Sequence, residues 1–217
     1  MSNLILNKMR KIIIPLAVVF SISMFSCENA KKKALEDSLK ALAENTKKEI
    51  EKSSKEKKSN TDADYLTDAN GQWAIGATAS STYAIKEGKT ASWSPEQMIG
   101  VPNVQKYGDN GNAWASKDQD KGEEWVKLTF EKEVNATEVR IKETYNAGAI
   151  TKIVLYENNN KSHVVYKAKS ETKKNEMQYL VAKFPKTGYK TKMVKIILDS
   201  KAITGWNEID AVQLVGE

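Results

Sequence analysis

The stretch YGDNGNAWASKDQDKGEEWVKLTF, Tyr107–Phe130, decides the fold. Its first part is a polar loop, Gly108 to Asn112, that delivers Trp114. A second, charged loop leads into a segment where Val126, Leu128 and Phe130 alternate with Trp125, Lys127 and Thr129. Successive strand residues point to opposite faces, so a period of two with one apolar set reads as a strand lying on a core. A strand fed by long polar loops is the layout of a β-sandwich whose loops are available to hold a ligand.

Downstream, the same periodicity recurs. Val134 to Tyr145 sets Val139 and Ile141 against Glu138, Arg140 and Lys142, and Ile150 to Tyr156 follows Asn146-Ala-Gly148. Asn158 to Lys161 reads as a hairpin turn into His163–Tyr166, and Met177–Phe184, Met193–Leu198 and Ile209–Val215 complete the set. Upstream, an acidic lead-in (Asp62, Asp64, Asp68) precedes a short strand beginning at Trp73, and Ser94-Pro-Glu-Gln-Met-Ile-Gly100 reads as one helical turn with Pro95 at its first position. Seven to nine short strands with turn signals between them predict an all-β, antiparallel jelly-roll β-sandwich over 62–217. All five tryptophans lie after residue 70, which places the core there. Trp114 and Trp125 are assigned to packing.

The amino terminus is of another kind. Lys8, Arg10 and Lys11 precede an apolar run, Ile12 to Met24, that is too short for a membrane-spanning helix and matches the core of an export signal. Ser26 gives a small residue just before Cys27, the chain's one cysteine, so no disulfide framework is available. This arrangement resembles the bacterial lipoprotein signal, in which the cysteine is lipidated and becomes the new terminus. Met24-Phe25-Ser26-Cys27 departs from the usual Leu-Ser/Ala-Gly/Ala-Cys at its first two positions, and an ordinary cleaved signal with an incidental cysteine is the alternative. The reading is a signal peptide over 1–26, lipidation at Cys27, and a location in the bacterial cell envelope. Glu28 is not the aspartate associated with inner-membrane retention, which favours the outer membrane.

Residues 27–61 form a tether rich in Ala, Leu, Glu and Lys, helical by local propensity or flexible. Leu35, Leu39 and Leu42 start an apolar stripe that Thr46 and Glu49 break, too short for a coiled coil. The formal net charge of +6 belongs to these segments. Residues 1–27 carry +3, residues 28–61 carry +3, and the rest carries 21 basic and 21 acidic groups. A neutral domain lacks the footprint for phosphate backbones, so nucleic acid is excluded as a partner.

The sequence also carries a family resemblance. Ala79-Ser-Ser-Thr-Tyr83, Ser94 to Asn103, Ala113-Trp-Ala-Ser116 and Glu124-Trp-Val-Lys-Leu-Thr-Phe130 resemble, in order, the motifs of galactose-binding-like (discoidin-type, coagulation-factor C-type) domains. Val139 to Ala149 and Trp206 to Gly216 look like the family's later strands. The resemblance spans roughly 72 to 216, and the end-joining disulfide of many discoidin domains is absent. It implies one structural calcium ion held by Asp109, with Asn112, and by Glu208 or Asp210. Against that stands an Asx turn at Asp109 and Asn110, with Glu208 solvated; Ile99-Gly100 also stands where the family usually has Asp-Gly.

In such sandwiches one end presents aromatic and amide side chains to a partner, a glycan or an envelope protein. Here the candidates are Trp93, Tyr107, Tyr145 with Asn146, and Trp206 with Asn207, and each has core packing as its rival reading. The one histidine, His163, reads as a solvent-facing or cross-strand residue, and Glu123 and Glu124, adjacent on a strand, point to opposite faces. With no nucleophile motif, no second zinc ligand and no phosphate loop, the sequence reads as a binding module rather than an enzyme.

Overall fold

A computed structural model describes residues 38–40, 44, 61–86 and 91–217. The export signal and Cys27 lie outside the described residues. Residue contacts divide the chain into Met1–Lys58 and Ser59–Glu217. In the first unit Ser38, Leu39, Lys40 and Glu44 are helical and exposed. Among the described residues no helix is long and apolar enough to cross a membrane.

Among the described residues the second unit has a short helix, α1 (Asp62–Leu66), followed by nine strands. These are β1 (Gly71–Trp73), β2 (Gly76–Ala79), β3 (Glu123–Val134), β4 (Ala136–Tyr145), β5 (Ile150–Tyr156), β6 (Ser162–Lys167), β7 (Gln178–Lys183), β8 (Thr191–Asp199) and β9 (Glu208–Gly216). They form two antiparallel sheets, β1-β9-β4-β7 and β2-β3-β8-β5-β6. The architecture is an all-β antiparallel sandwich, the class that the alternation predicts. The segment beginning at Trp73 is two strands rather than one: the chain leaves the first sheet after Trp73 and enters the second at Gly76. Pro95–Met98 is a single turn of 3-10 helix.

The core lies where the alternation puts it. Val126, Leu128 and Phe130 of β3 pack with Val194, Ile196 and Leu198 of β8, with Ile153 and Leu155 of β5, and with Val139, Ile141, Ile209, Val212 and Leu214 from the facing sheet. Trp114 joins them, fully buried, with its indole N–H donating to the Ser81 carbonyl at 3.0 Å. Trp125 does not. It points to the opposite face of β3 from Val126, half-buried, with the Lys195 ammonium 4.5 Å from its ring centroid. Its assignment to the core is corrected by the period of two itself.

The outer face of β4 is covered rather than solvated. Tyr65 of α1 lies over the Arg140 guanidinium at 4.4 Å, and Arg140 pairs with Asp68 at 2.7 Å and Glu138 at 2.5 Å. Beside it the Lys142 ammonium, 3% exposed, meets Asp62 at 2.8 Å and Asp210 at 3.4 Å. The acidic lead-in is therefore the counter-charge for a basic stripe on the sheet, and each charge goes under cover with its partner, as a buried charge must.

Register fixes where the loops fall. Glu123 sits opposite Asp199, Ile150 opposite Leu198, Tyr145 opposite Glu208 and Glu143 opposite Gln178. The connections 80–122, 146–149, 168–177 and 200–207 consequently leave the sandwich at one end.

Candidate functional site

At that end a cleft of about 80 Å³ is lined by Tyr83, Trp93, Asp109, Ala115, Trp206 and Glu208. Tyr83, 47% exposed, meets Trp93 edge-on at 5.2 Å and Trp206 edge-on at 5.4 Å between centroids. Three rings thus flank two carboxyl groups.

Each tryptophan is fixed by its own loop. Trp93 has φ of 57°, a left-handed conformation that costs a bulky L-residue about 1–2 kcal/mol. Hydrogen bonds hold it there: its N–H donates to the Gly111 carbonyl at 2.9 Å, and its carbonyl accepts from the Ala115 N–H at 3.3 Å and the Thr82 hydroxyl at 2.9 Å. The indole N–H then donates to Asp109 Oδ1 at 2.9 Å. Trp206 follows Gly205, whose φ is 93° and where a Cβ would meet the Asn146 side chain at 2.8 Å, so glycine is required. The Trp206 indole N–H donates to the Ser116 carbonyl at 3.1 Å.

The acids differ in setting. Asp109 is exposed at the rim, whereas Glu208, at the head of β9, is 1% exposed. The Asn110 N–H donates to Glu208 Oε2 at 3.1 Å, and the Asp109 carboxyl shares a hydrogen bond with it. Burial, with Asp109 alongside, pushes the Glu208 carboxyl up to about 8.

Of the sequence candidates, Trp93, Trp206, Asp109 and Glu208 line this cleft. Tyr107, Tyr145, Asn146 and Asn207 form a brace behind the Trp206 loop. Tyr107 meets Tyr145 edge-on at 5.5 Å, its hydroxyl lies 3.3 Å from Asn146 Oδ1, Asn146 Nδ2 donates to the Trp206 carbonyl at 3.0 Å, and Asn207 Nδ2 donates to the Asn146 carbonyl at 2.7 Å. Their partners are one another, the Trp206 carbonyl and Asn175, and none lines the cleft. Tyr83 is the residue the sequence reading passed over. Its signal was present: a lone aromatic behind the polar run Ser80-Ser-Thr82, outside any apolar periodicity.

Of the four residues expected to hold calcium, Asp109 and Glu208 come together in the cleft, and Asp210 and Asn112 do not line it. Asp210 is occupied by the Asn103 and Val104 N–H groups, at 3.1 and 3.0 Å, and by Lys142. Asn112 is exposed, and its N–H donates to Asn110 Oδ1 at 3.0 Å, an Asx turn. Two carboxyls remain, each facing an N–H donor, and no group of three or more acidic, His or Cys ligands occurs among the described residues. Calcium takes six to eight oxygens, of which the two carboxyls supply at most four.

Nor does the pair resemble a hydrolytic one. Carboxyls that cleave a glycosidic bond stand about 5 Å or more apart with the bond between them, whereas Asp109 and Glu208 share a hydrogen bond. His163 bonds Glu157 at 2.7 Å and stacks on Tyr189 at 3.8 Å, and Glu124 accepts from the Ser80 and Ser81 hydroxyls.

A family model described as "PAPPA: Pappalysin-1, SD scarf domain, C-terminal" matches residues 66–217. No curated protein matches the chain. Among solved structures, chitosan-binding module 1 from a chitosanase/glucanase of Paenibacillus sp. IK-5 is similar at 12% identity and a TM-score of 0.48, over 66% of this chain and 96% of its own. XRCC1, in its complex with the DNA pol beta catalytic domain, is similar at 11% identity and 0.49, over 68% of this chain and 99% of its own. The CBM32 of AlyQ, in complex with 4,5-unsaturated mannuronic acid, gives 16% and 0.43, over 66% and 96%. At these identities and TM-scores the likenesses carry nothing over to this chain.

Proposed function

The chain belongs to the family of the pappalysin-1 C-terminal SD scarf domain, and we propose that it is an exported, lipid-anchored protein whose sandwich binds carbohydrate without turning it over. The observation that carries the binding role is the convergence of Tyr83, Trp93 and Trp206 with Asp109 and Glu208 at the loop-bearing end. Aromatic rings offer apolar faces for the C–H side of a sugar, and carboxyl oxygens accept from its hydroxyls. Rings held by their own indole N–H bonds bind with little loss of side-chain freedom.

The anchor rests on the sequence of residues 1–27, with acylated Cys27 as the attachment and residues 28–61 as the spacer, in the outer membrane of a bacterial envelope. Labelling of the wild-type chain by radioactive palmitate, lost in Cys27→Ala, supports it; equal labelling of both overturns it. For binding, a glycan array probed with the acylation-free chain gives hits that Trp206→Ala loses. An array without hits, with a stoichiometric envelope protein captured instead, replaces the glycan by a protein partner.

A further inference from the structure

We propose that the Tyr83–Trp93–Trp206 cleft receives the free ammonium group of an amino sugar, with Asp109 and Glu208 as its counter-charges. The inference rests on the glycan reading and names the class of sugar.

Charge is the first argument. Glu138 and Asp210, buried in the same sheet, each face an Arg or a Lys. Asp109 and Glu208 have no ion pair with a Lys or Arg among the described residues. The two carboxyls share a hydrogen bond and therefore hold one proton between them; an incoming ammonium takes that proton's place, the proton leaving to solvent and Glu208 becoming the second carboxylate. Walls are the second argument. An ammonium is attracted to aromatic faces, and three rings border this cleft. Tyr83, Trp93 and Trp206 are held in T-shaped contact rather than stacked on one another, which leaves ring surface to the cleft.

Size and valence choose among cations. An ammonium has three N–H donors, and two carboxylates retain enough acceptor sites for them after the Trp93 and Asn110 N–H groups are served. A calcium ion would need several more oxygens. About 80 Å³ is far below the roughly 300 Å³ at which ligand pockets begin, so the cleft takes one substituent while the ring lies across the rim beside Tyr83. An acetamide in place of the amine adds three heavy atoms and removes the charge, so it is rejected on both counts.

The experiment titrates the full chain by calorimetry with three tetrasaccharides of one linkage: β-1,4-linked glucosamine, its N-acetylated form, and the neutral glucose analogue. The free-amine sugar binds at least about tenfold more tightly than the other two, the scale of one charge-assisted hydrogen bond. Asp109→Asn, an exposed position, and Glu208→Gln, which keeps the side chain's size, both abolish that preference while circular dichroism shows an unchanged fold. Equal binding of all three sugars overturns the ammonium assignment and leaves glycan binding standing. Binding of none by the folded wild type overturns the glycan reading along with it.

Discussion

Glu208→Gln gives the site a signature in stability that needs no ligand. The wild-type carboxyl is pushed up to about 8 by burial, with Asp109 alongside, from an ordinary value of 4.5. Between those values the folded protein keeps a proton that the unfolded chain releases. Stability therefore falls as pH rises through this window, by up to about 1.4 kcal/mol per pH unit for one proton. Across pH 5 to 8 the loss is bounded at roughly 4 kcal/mol. Glutamine copies the neutral carboxyl, accepts from the Asn110 N–H and donates to Asp109, so the variant lacks this slope. Burial also raises Glu143 and Asp210, but both are present in each protein and cancel in the difference. Urea unfolding followed by tryptophan fluorescence at pH 5, 6, 7 and 8 measures it. The two proteins match near pH 5, and by pH 8 the variant is the more stable by about 3 kcal/mol. A stability difference that stays constant from pH 5 to 8 would refute the reasoning, because Glu208 would then titrate alike in folded and unfolded chains.

Lys142→Met removes the one ammonium between Asp62 and Asp210 and leaves Asp210, whose side chain is 1% exposed, as a buried acid without a cation. The cost is about 3–5 kcal/mol in urea unfolding at pH 7, partly recovered by adding Asp210→Asn; a cost under about 1 kcal/mol contradicts the covered-stripe description. Because Asp210 is taken by Lys142 and the Val104 N–H and Asn112 is exposed, a chelator is expected to leave the melting temperature where it was. A calcium-dependent rise in calorimetry counts against that reading of the donors. Trp93→Gly relieves the left-handed backbone strain yet deletes a wall of the cleft, so sugar binding falls by more than about tenfold with little change in stability. Retained affinity would remove Trp93 from the site.

The fold was legible because its core obeys one rule: Val126, Leu128 and Phe130 alternate, and so do Val194, Ile196 and Leu198. Alternation says which residues share a face, but not what covers the other face. Glu138, Arg140 and Lys142 mark the polar face of β4, but that Asp62, Tyr65 and Asp68 lie over it is a pairing across more than seventy residues that local pattern does not encode. Trp125 follows the period of its strand rather than its size, and lies on the outer face under Lys195. At the site, Trp93, Trp206, Asp109 and Glu208 were visible as chemistry on loops. Their convergence was not, since it depends on the path of the 80–122 loop. Tyr145 and Asn146 sit at an exposed-looking strand end, and only the contacts of Tyr107 and Asn207 show them to be a brace.

The central claim is that the aromatic–carboxyl cleft is where this protein meets sugar. Calorimetric titration of the wild-type chain and of Trp206→Ala with the glycan that an array selects tests it most directly. The account predicts measurable binding by the wild type, loss of more than about tenfold in affinity in the variant, and intact folding of both. Equal affinity in the two proteins would place the ligand elsewhere on the molecule and contradict it.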